Sequence, residues 1–155
     1  MMRVYLVQHG EAASKDVHPD RPLTEKGRRD VEQIAALVRT LALEVSVVLH
    51  SGKARAEQTA EMLGAVMNTA NGVIQSADLA PNDPIEPIKG ALTTAEDDVM
   101  IVGHLPFLGK LASALLTGSE LADIVAFRQG GVVCLERDED GIWRVVWMVV
   151  PELVG

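Results

Sequence analysis

The stretch Val4-Tyr5-Leu6-Val7-Gln8-His9-Gly10 decides how this chain is read. An apolar run that stops at His-Gly describes a short buried strand, residues 2–8, delivering an imidazole to the carboxyl edge of a sheet. Open α/β sheets hold their ligands along that edge. Two later segments repeat the layout. Val45-Ser46-Val47-Val48-Leu49-His50-Ser51 leads into a helix carrying Arg55, and Val99-Met100-Ile101-Val102-Gly103 ends at His104. Three strands would thus bring His9, Arg55 and His104 together. Two imidazoles and a guanidinium make a site suited to phosphoryl transfer.

Working outward, the pattern alternates short apolar runs with helical periods. That favours an α/β fold with a mostly parallel sheet and helices on both faces. Thr24 is a suitable N-cap for a helix in which Val31, Ile34, Val38 and Leu41 share a face. A second strand is expected at 45–50. Ser51 can cap the next helix, starting at Ser51 or Gly52, with Ala56, Ala60, Leu63 and Met67 on one stripe. Asn71-Gly72 marks a turn before a short strand at 73–75, and Pro81, Pro84 and Pro87 mark a loop before a helix near 85–95. A strand at 98–103 precedes a helix with Leu105, Leu108, Leu111, Ala112 and Leu115 on one face. Asp138-Glu139-Asp140-Gly141 joins two apolar runs, 131–137 and 142–149, as an antiparallel hairpin.

Bulk properties narrow the function classes. The 155 residues suit one domain, 1–155, with a proper core. No apolar stretch reaches the ~18 residues of a membrane span, and the N-terminal apolar run is too short for a signal peptide, which reads as cytoplasmic. Cys134 is the only cysteine; its apolar neighbours make it a core thiol and leave no disulfide or cysteine metal cluster. A net charge of −8 argues against binding nucleic acid or an anionic membrane. Any phosphate ligand then needs local positive charge, so arginines near the histidines carry more weight.

His9 is the candidate nucleophile. An imidazole that is neutral at one nitrogen can attack phosphorus and divide one hard displacement into two. Gly10 would let the backbone turn sharply and approach a phosphate. Arg55, near a helix start, adds a bidentate clamp to free helix amides. His104 could stabilise phosphoryl oxygens as a cation or a donor. Arg21, in Asp20-Arg21-Pro22-Leu23-Thr24, could reach over from the first loop. The general-acid candidates are Asp83 and Glu11, with Asp16, His18 and Asp20 further loop groups.

Val7-Gln8-His9-Gly10-Glu11-Ala12, Arg21-Pro22-Leu23-Thr24-Glu25-Lys26-Gly27, Ser51-Gly52-Lys53-Ala54-Arg55-Ala56-Glu57-Gln58-Thr59-Ala60 and Val102-Gly103-His104-Leu105-Pro106 together resemble the histidine phosphatase superfamily. Within it the chain is similar to the small SixA-type phosphohistidine phosphatase branch. The resemblance spans nearly the whole chain, with the four motifs in the expected order. It implies a three-layer α/β/α sandwich, phosphoglycerate mutase-like but without the large cap insertion. It implies His9 as the phosphorylated group, Arg55 and His104 as phosphate ligands, and Arg21 helping; Gln8, Gly10 and Ser51 join the substrate-binding set. No metal or other cofactor is implied. The partner implied is a phosphohistidine-containing protein, for instance a histidine phosphotransfer domain.

One departure stands out. The family motif begins Arg-His-Gly, and here the arginine is Gln8. Its amide can donate but brings neither charge nor fork. Losing that contact could cost roughly 10²–10³ in rate. The readings are therefore a phosphatase acting through phospho-His9, a slow phosphate- or phosphohistidine-binding module, and a small-molecule phosphomonoesterase. A hydrolase with a metal on His9, His50 and His104 has no supporting ligand spacing.

Overall fold

The computed structural model describes residues 1–155. Strand β1 (Met2–Gln8) alternates its side chains between two cores. Met2, Val4 and Leu6 join one apolar cluster, and Tyr5 and Val7 join the other. Burial on both faces explains why the strand reads as a continuous apolar run.

The helices supply the two outer layers. On one side lie α1 (Glu25–Leu41) and α2 (Ala54–Gly64), whose Val31, Ile34, Val38, Ala56, Ala60 and Leu63 pack with Tyr5 and Val7. On the other lie α3 (Glu86–Thr94) and α4 (Phe107–Thr117), with Ile88, Leu92, Phe107, Leu108 and Leu111 against Val4 and Leu6. The remaining strands are β2 (Glu44–Val45), β3 (Val47–His50), β4 (Asn68–Thr69), β5 (Val73–Gln75), β6 (Val99–Gly103), β7 (Val132–Arg137) and β8 (Trp143–Val149). The main sheet runs β5-β3-β6-β1-β7-β8, and β2 pairs with β4 separately. β5, β3, β6 and β1 are parallel; β7 is antiparallel to both β1 and β8. The result is the expected α/β/α sandwich with a C-terminal antiparallel hairpin.

Register then sets the site. Gln8 pairs with Gly103, and His50 pairs with Val102. Three adjacent strands therefore end level, and His9, Ser51 and His104 emerge side by side.

Local chemistry explains most boundaries. Thr24 caps α1, its Oγ1 accepting from the Gly27 amide at 2.9 Å. Gly27 sits tight against the first loop: a Cβ there would lie 2.1 Å from the Glu11 carbonyl oxygen. In the hairpin turn, Asp138 Oδ1 accepts from the Asp140 and Ile142 amides while Gly141 takes a φ of +82°. Cys134 is buried, and that burial pushes its thiol up to about 11, as an inert core thiol should be.

Some expectations are corrected. Leu41 is 45% exposed, because it ends α1 just before Ala42 turns left-handed. Leu105 is 42% exposed and precedes α4, whose buried stripe begins at Phe107. Met67 lies beyond the end of α2. The expected strand at 45–50 is interrupted at Ser46, giving β2 and β3. Neither Ser51 nor Gly52 starts α2: Gly52 has a φ of +89°, outside any helix, and Lys53 occupies the N-cap. No helix is long and apolar enough to cross a membrane.

Candidate active site

His9 leaves β1 with its amide held by the Gly103 carbonyl at 3.1 Å. Its ring is buried, and Nδ1 lies 2.7 Å from the Gly10 carbonyl oxygen. A carbonyl only accepts, so the imidazole proton resides on Nδ1. Nε2 keeps its lone pair. Burial pushes the His9 pKa below the usual histidine value, outweighing the Gly10 contact, and Arg55 and Arg21 push it the same way. At neutral pH the ring is neutral, with Nε2 free of a proton and of any hydrogen-bond partner in the protein.

Gly10 does not take a left-handed φ. Packing explains the glycine instead. A Cβ at Gly10 would meet Val31 Cγ2 at 2.9 Å and the Gly27 carbonyl oxygen at 3.1 Å. The Gly10 amide donates to Thr59 Oγ1 at 3.1 Å, and that hydroxyl donates to the Arg55 carbonyl at 2.8 Å. Gln58 Oε1 accepts from the Leu23 amide at 2.8 Å. Thr59 and Gln58 thus brace α2 against the His9 turn and the first loop. Both stand in the Arg-Ala-Glu-Gln-Thr-Ala segment, yet nothing local in the sequence assigns them this task.

Thr59→Val should expose this bracing. The buried Gly10 amide would lose its acceptor, at a cost of about 1–3 kcal/mol. Thermal melting checks the stability loss; a midpoint unchanged within a degree would show that the contact does not hold the turn.

His104 is 2% exposed. Its Nε2 lies 2.6 Å from Ser51 Oγ, and its ring centroid is 5.0 Å from that of His9. Burial, then the fields of His9, Arg55, Lys53 and Arg21, push its pKa down to about 3. It is therefore neutral, and the cationic form expected from sequence is disfavoured in the resting protein. Three buried side-chain atoms lack a hydrogen-bond partner: Gln8 Oε1, Arg55 Nε and His104 Nδ1. All belong to residues of this edge. Burying polar atoms unpaired costs free energy, and its concentration here singles this edge out as the candidate ligand site.

A cleft of about 770 Å³ opens beside this edge; Arg55 lines it with Lys15, Arg21 and Lys53 and with Asp20, Glu57 and Asp83, while neither His9 nor His104 does. Arg21 has a left-handed φ of 50° and donates from Nε to the Ala13 carbonyl at 3.0 Å. The loop that carries it is pinned by the Ala12–Leu23 bridge. Four cations against three carboxylates leave the cleft locally positive on a chain whose net charge is −8. The only sequence signal for Lys15 and Lys53 is their proximity to Arg21 and Arg55.

The acid candidates separate. Asp83 and Asp20 line the cleft, with Asp83 Oδ2 accepting from the Ala80 amide at 2.9 Å. Glu11 is instead held at the start of α1, its Oε2 accepting from the Thr24 hydroxyl at 2.7 Å. Asp16 is exposed, and His18 Nδ1 accepts from the Asp20 amide. His50 is buried and closes its own turn, Nδ1 accepting from the Gly52 amide at 3.1 Å.

Two suppressed histidines carry a pH consequence. The unfolded chain takes up protons below pH ~6.5, while folded His104 resists until about 3. Stability should fall as pH drops below ~6.5, by on the order of 1–2 kcal/mol at pH 5. Melting midpoints at pH 7 and 5 measure this; a His104→Gln variant should show a flatter profile, and an equally steep one would rule His104 out as the cause.

Comparison with known proteins agrees with this geometry. The model of the histidine phosphatase superfamily (branch 1) matches residues 4–80. Phosphohistidine phosphatase SixA of Escherichia coli is 28% identical over 97% of this chain and 94% of its own length. An uncharacterised protein of Picosynechococcus is 33% identical over 83% of this chain and 86% of its own. The structure of the protein histidine phosphatase SixA complexed with tungstate superposes with a TM-score of 0.85 at 26% identity, covering 99% of this chain and 100% of that one.

Proposed function

The chain belongs to the histidine phosphatase superfamily and is a phosphatase, and we propose that it dephosphorylates phosphohistidine in a protein partner through a covalent phosphoryl group on His9. The observation that carries this reading is the 2.7 Å contact between His9 Nδ1 and the Gly10 carbonyl. It orients the ring, keeps the proton on Nδ1 and frees Nε2.

In the first step the Nε2 lone pair attacks phosphorus. The P–N bond of the substrate breaks, and its electron pair returns to the leaving imidazole, which already carries a proton on its other nitrogen and departs neutral. His9 becomes a phospho-imidazolium whose Nδ1–H still donates to Gly10. Water then attacks the phosphorus, the P–Nε2 bond breaks, and neutral His9 and dihydrogen phosphate are released. The atoms and charges balance with no proton supplied by a side chain. A protein acid is thus dispensable for a phosphoramidate, whereas an alkoxide leaving group would need one. An alkoxide substrate would need Asp83, the candidate acid that lines the cleft, as its proton donor.

Arg55, Arg21, His104 and the Gln8 amide hold the phosphoryl oxygens in this scheme. The tungstate bound by the SixA structure is a tetrahedral oxyanion, and the cation-lined cleft here suits a group of that shape. Its open form, with no large cap over it, suits a phosphorylated protein.

Trapping tests the reading. The protein is incubated with phosphoramidate, quenched, and mapped for acid-labile phosphate by mass spectrometry. Phosphate on His9 that turns over is the expected result. Turnover with no label on His9 would overturn the covalent step. Bound phosphate with no turnover would make the chain a binding module.

A further inference from the structure

Ser51, which the family resemblance places in the substrate-binding set, also touches a histidine. Its hydroxyl sits between two nitrogens. The Lys53 amide lies 3.3 Å from Oγ and can only donate. His104 Nε2 lies 2.6 Å from the same oxygen. If Nε2 also carried a proton, the hydroxyl would accept twice and its own hydrogen would have no partner. If the hydroxyl donates to Nε2, both of its roles are filled.

We propose that Ser51 is a positioning residue: it donates its hydroxyl proton to His104 Nε2 and thereby fixes the His104 proton on Nδ1. The second nitrogen of a histidine is set by the hydrogen bond that the first makes. His104 Nδ1 is buried and has no protein partner. The assignment makes it a committed donor with no acceptor until a phosphoryl oxygen comes within reach. The two histidines then share one tautomer and use it in opposite ways. His9 spends its Nδ1–H on Gly10 and presents a lone pair, whereas His104 spends its lone pair on Ser51 and keeps an N–H for the ligand.

The link is specific to the turn after β3. Gly52, with its φ of +89°, lets the chain double back so that the Lys53 amide reaches Oγ. Ser51 and His104 lie on neighbouring strand ends that the β3–β6 register holds level. The consequence for turnover rests on the phosphatase reading; the tautomer does not.

The test is 15N NMR of the imidazole rings at pH 7, where protonated and bare ring nitrogens separate clearly, together with kinetics. The intact protein should show His104 protonated on Nδ1. Ser51→Ala should redistribute that proton and lower kcat about tenfold, a fraction of what losing a whole transition-state donor costs, with a smaller change in KM. Ser51→Thr, which keeps the hydroxyl, should restore both signals. A proton on Nε2 in the intact protein overturns the proposal, as does an unchanged tautomer and kcat in Ser51→Ala. If Ser51→Ala fails to fold, the intact protein's spectrum still decides. An Nδ1–H signal in a protein without phosphatase activity would overturn the reading of function and leave the tautomer assignment standing.

Discussion

Replacing His9 with alanine should reduce phosphohistidine turnover by roughly 10³-fold or more, because the covalent route vanishes with its nucleophile. The residual cleft, with Arg21, Arg55 and Lys53 in place, should still bind phosphate. This separates lost chemistry from lost structure. His9→Asn fills similar space and can keep a donor near the Gly10 carbonyl, yet has no ring nitrogen to attack; it should be equally inactive. The measurement is inorganic phosphate release from a phosphohistidine protein, beside phosphate binding by calorimetry. Activity within tenfold of the intact protein in either variant would remove His9 from the mechanism.

The second large effect is expected at Gln8. It pairs with Gly103 at the end of β1, immediately before the nucleophile, and its buried Oε1 has no donor. The family resemblance implies an arginine at this position. A guanidinium offers charge and a planar fork to phosphoryl oxygens, where an amide offers one neutral donor group. Gln8→Arg should raise kcat/KM by roughly 10–100-fold. The starting rate decides what the gain means. From a rate already well above background, it marks a working enzyme with one weakened contact. From near zero, it marks a site that holds phosphate and had lost turnover. A fall in rate would show that the pocket is fitted to the neutral amide.

Much of the fold was legible because it rests on local rules. Both-sided burial makes β1 a continuous apolar run, and the Thr24 hydroxyl answers an amide three residues away. Asp138 and Gly141 build their hairpin turn from their own neighbours. The ends of helices were less legible. Leu41 and Leu105 fit their helical stripes by spacing alone, but one ends its helix and the other precedes it, where the sheet gives nothing to pack against. The site divides in the same way. His9, Arg55 and His104 follow from three strand ends and the helix after one of them. The acids do not, since Asp83 and Glu11 look equivalent until the loops close and one faces the cleft while the other is taken by Thr24.

By itself, then, the sequence determined the layered α/β architecture and which strand ends carry imidazoles and arginine, because hydrophobic period and capping act over a few residues. Only the tertiary structure decided what those groups do for one another. Ser51 meets His104 across 53 positions and Thr59 meets Gly10 across 49, contacts that exist only once strand register brings remote turns level. The suppressed basicity of both histidines comes chiefly from burial, and burial is a property of the assembled molecule.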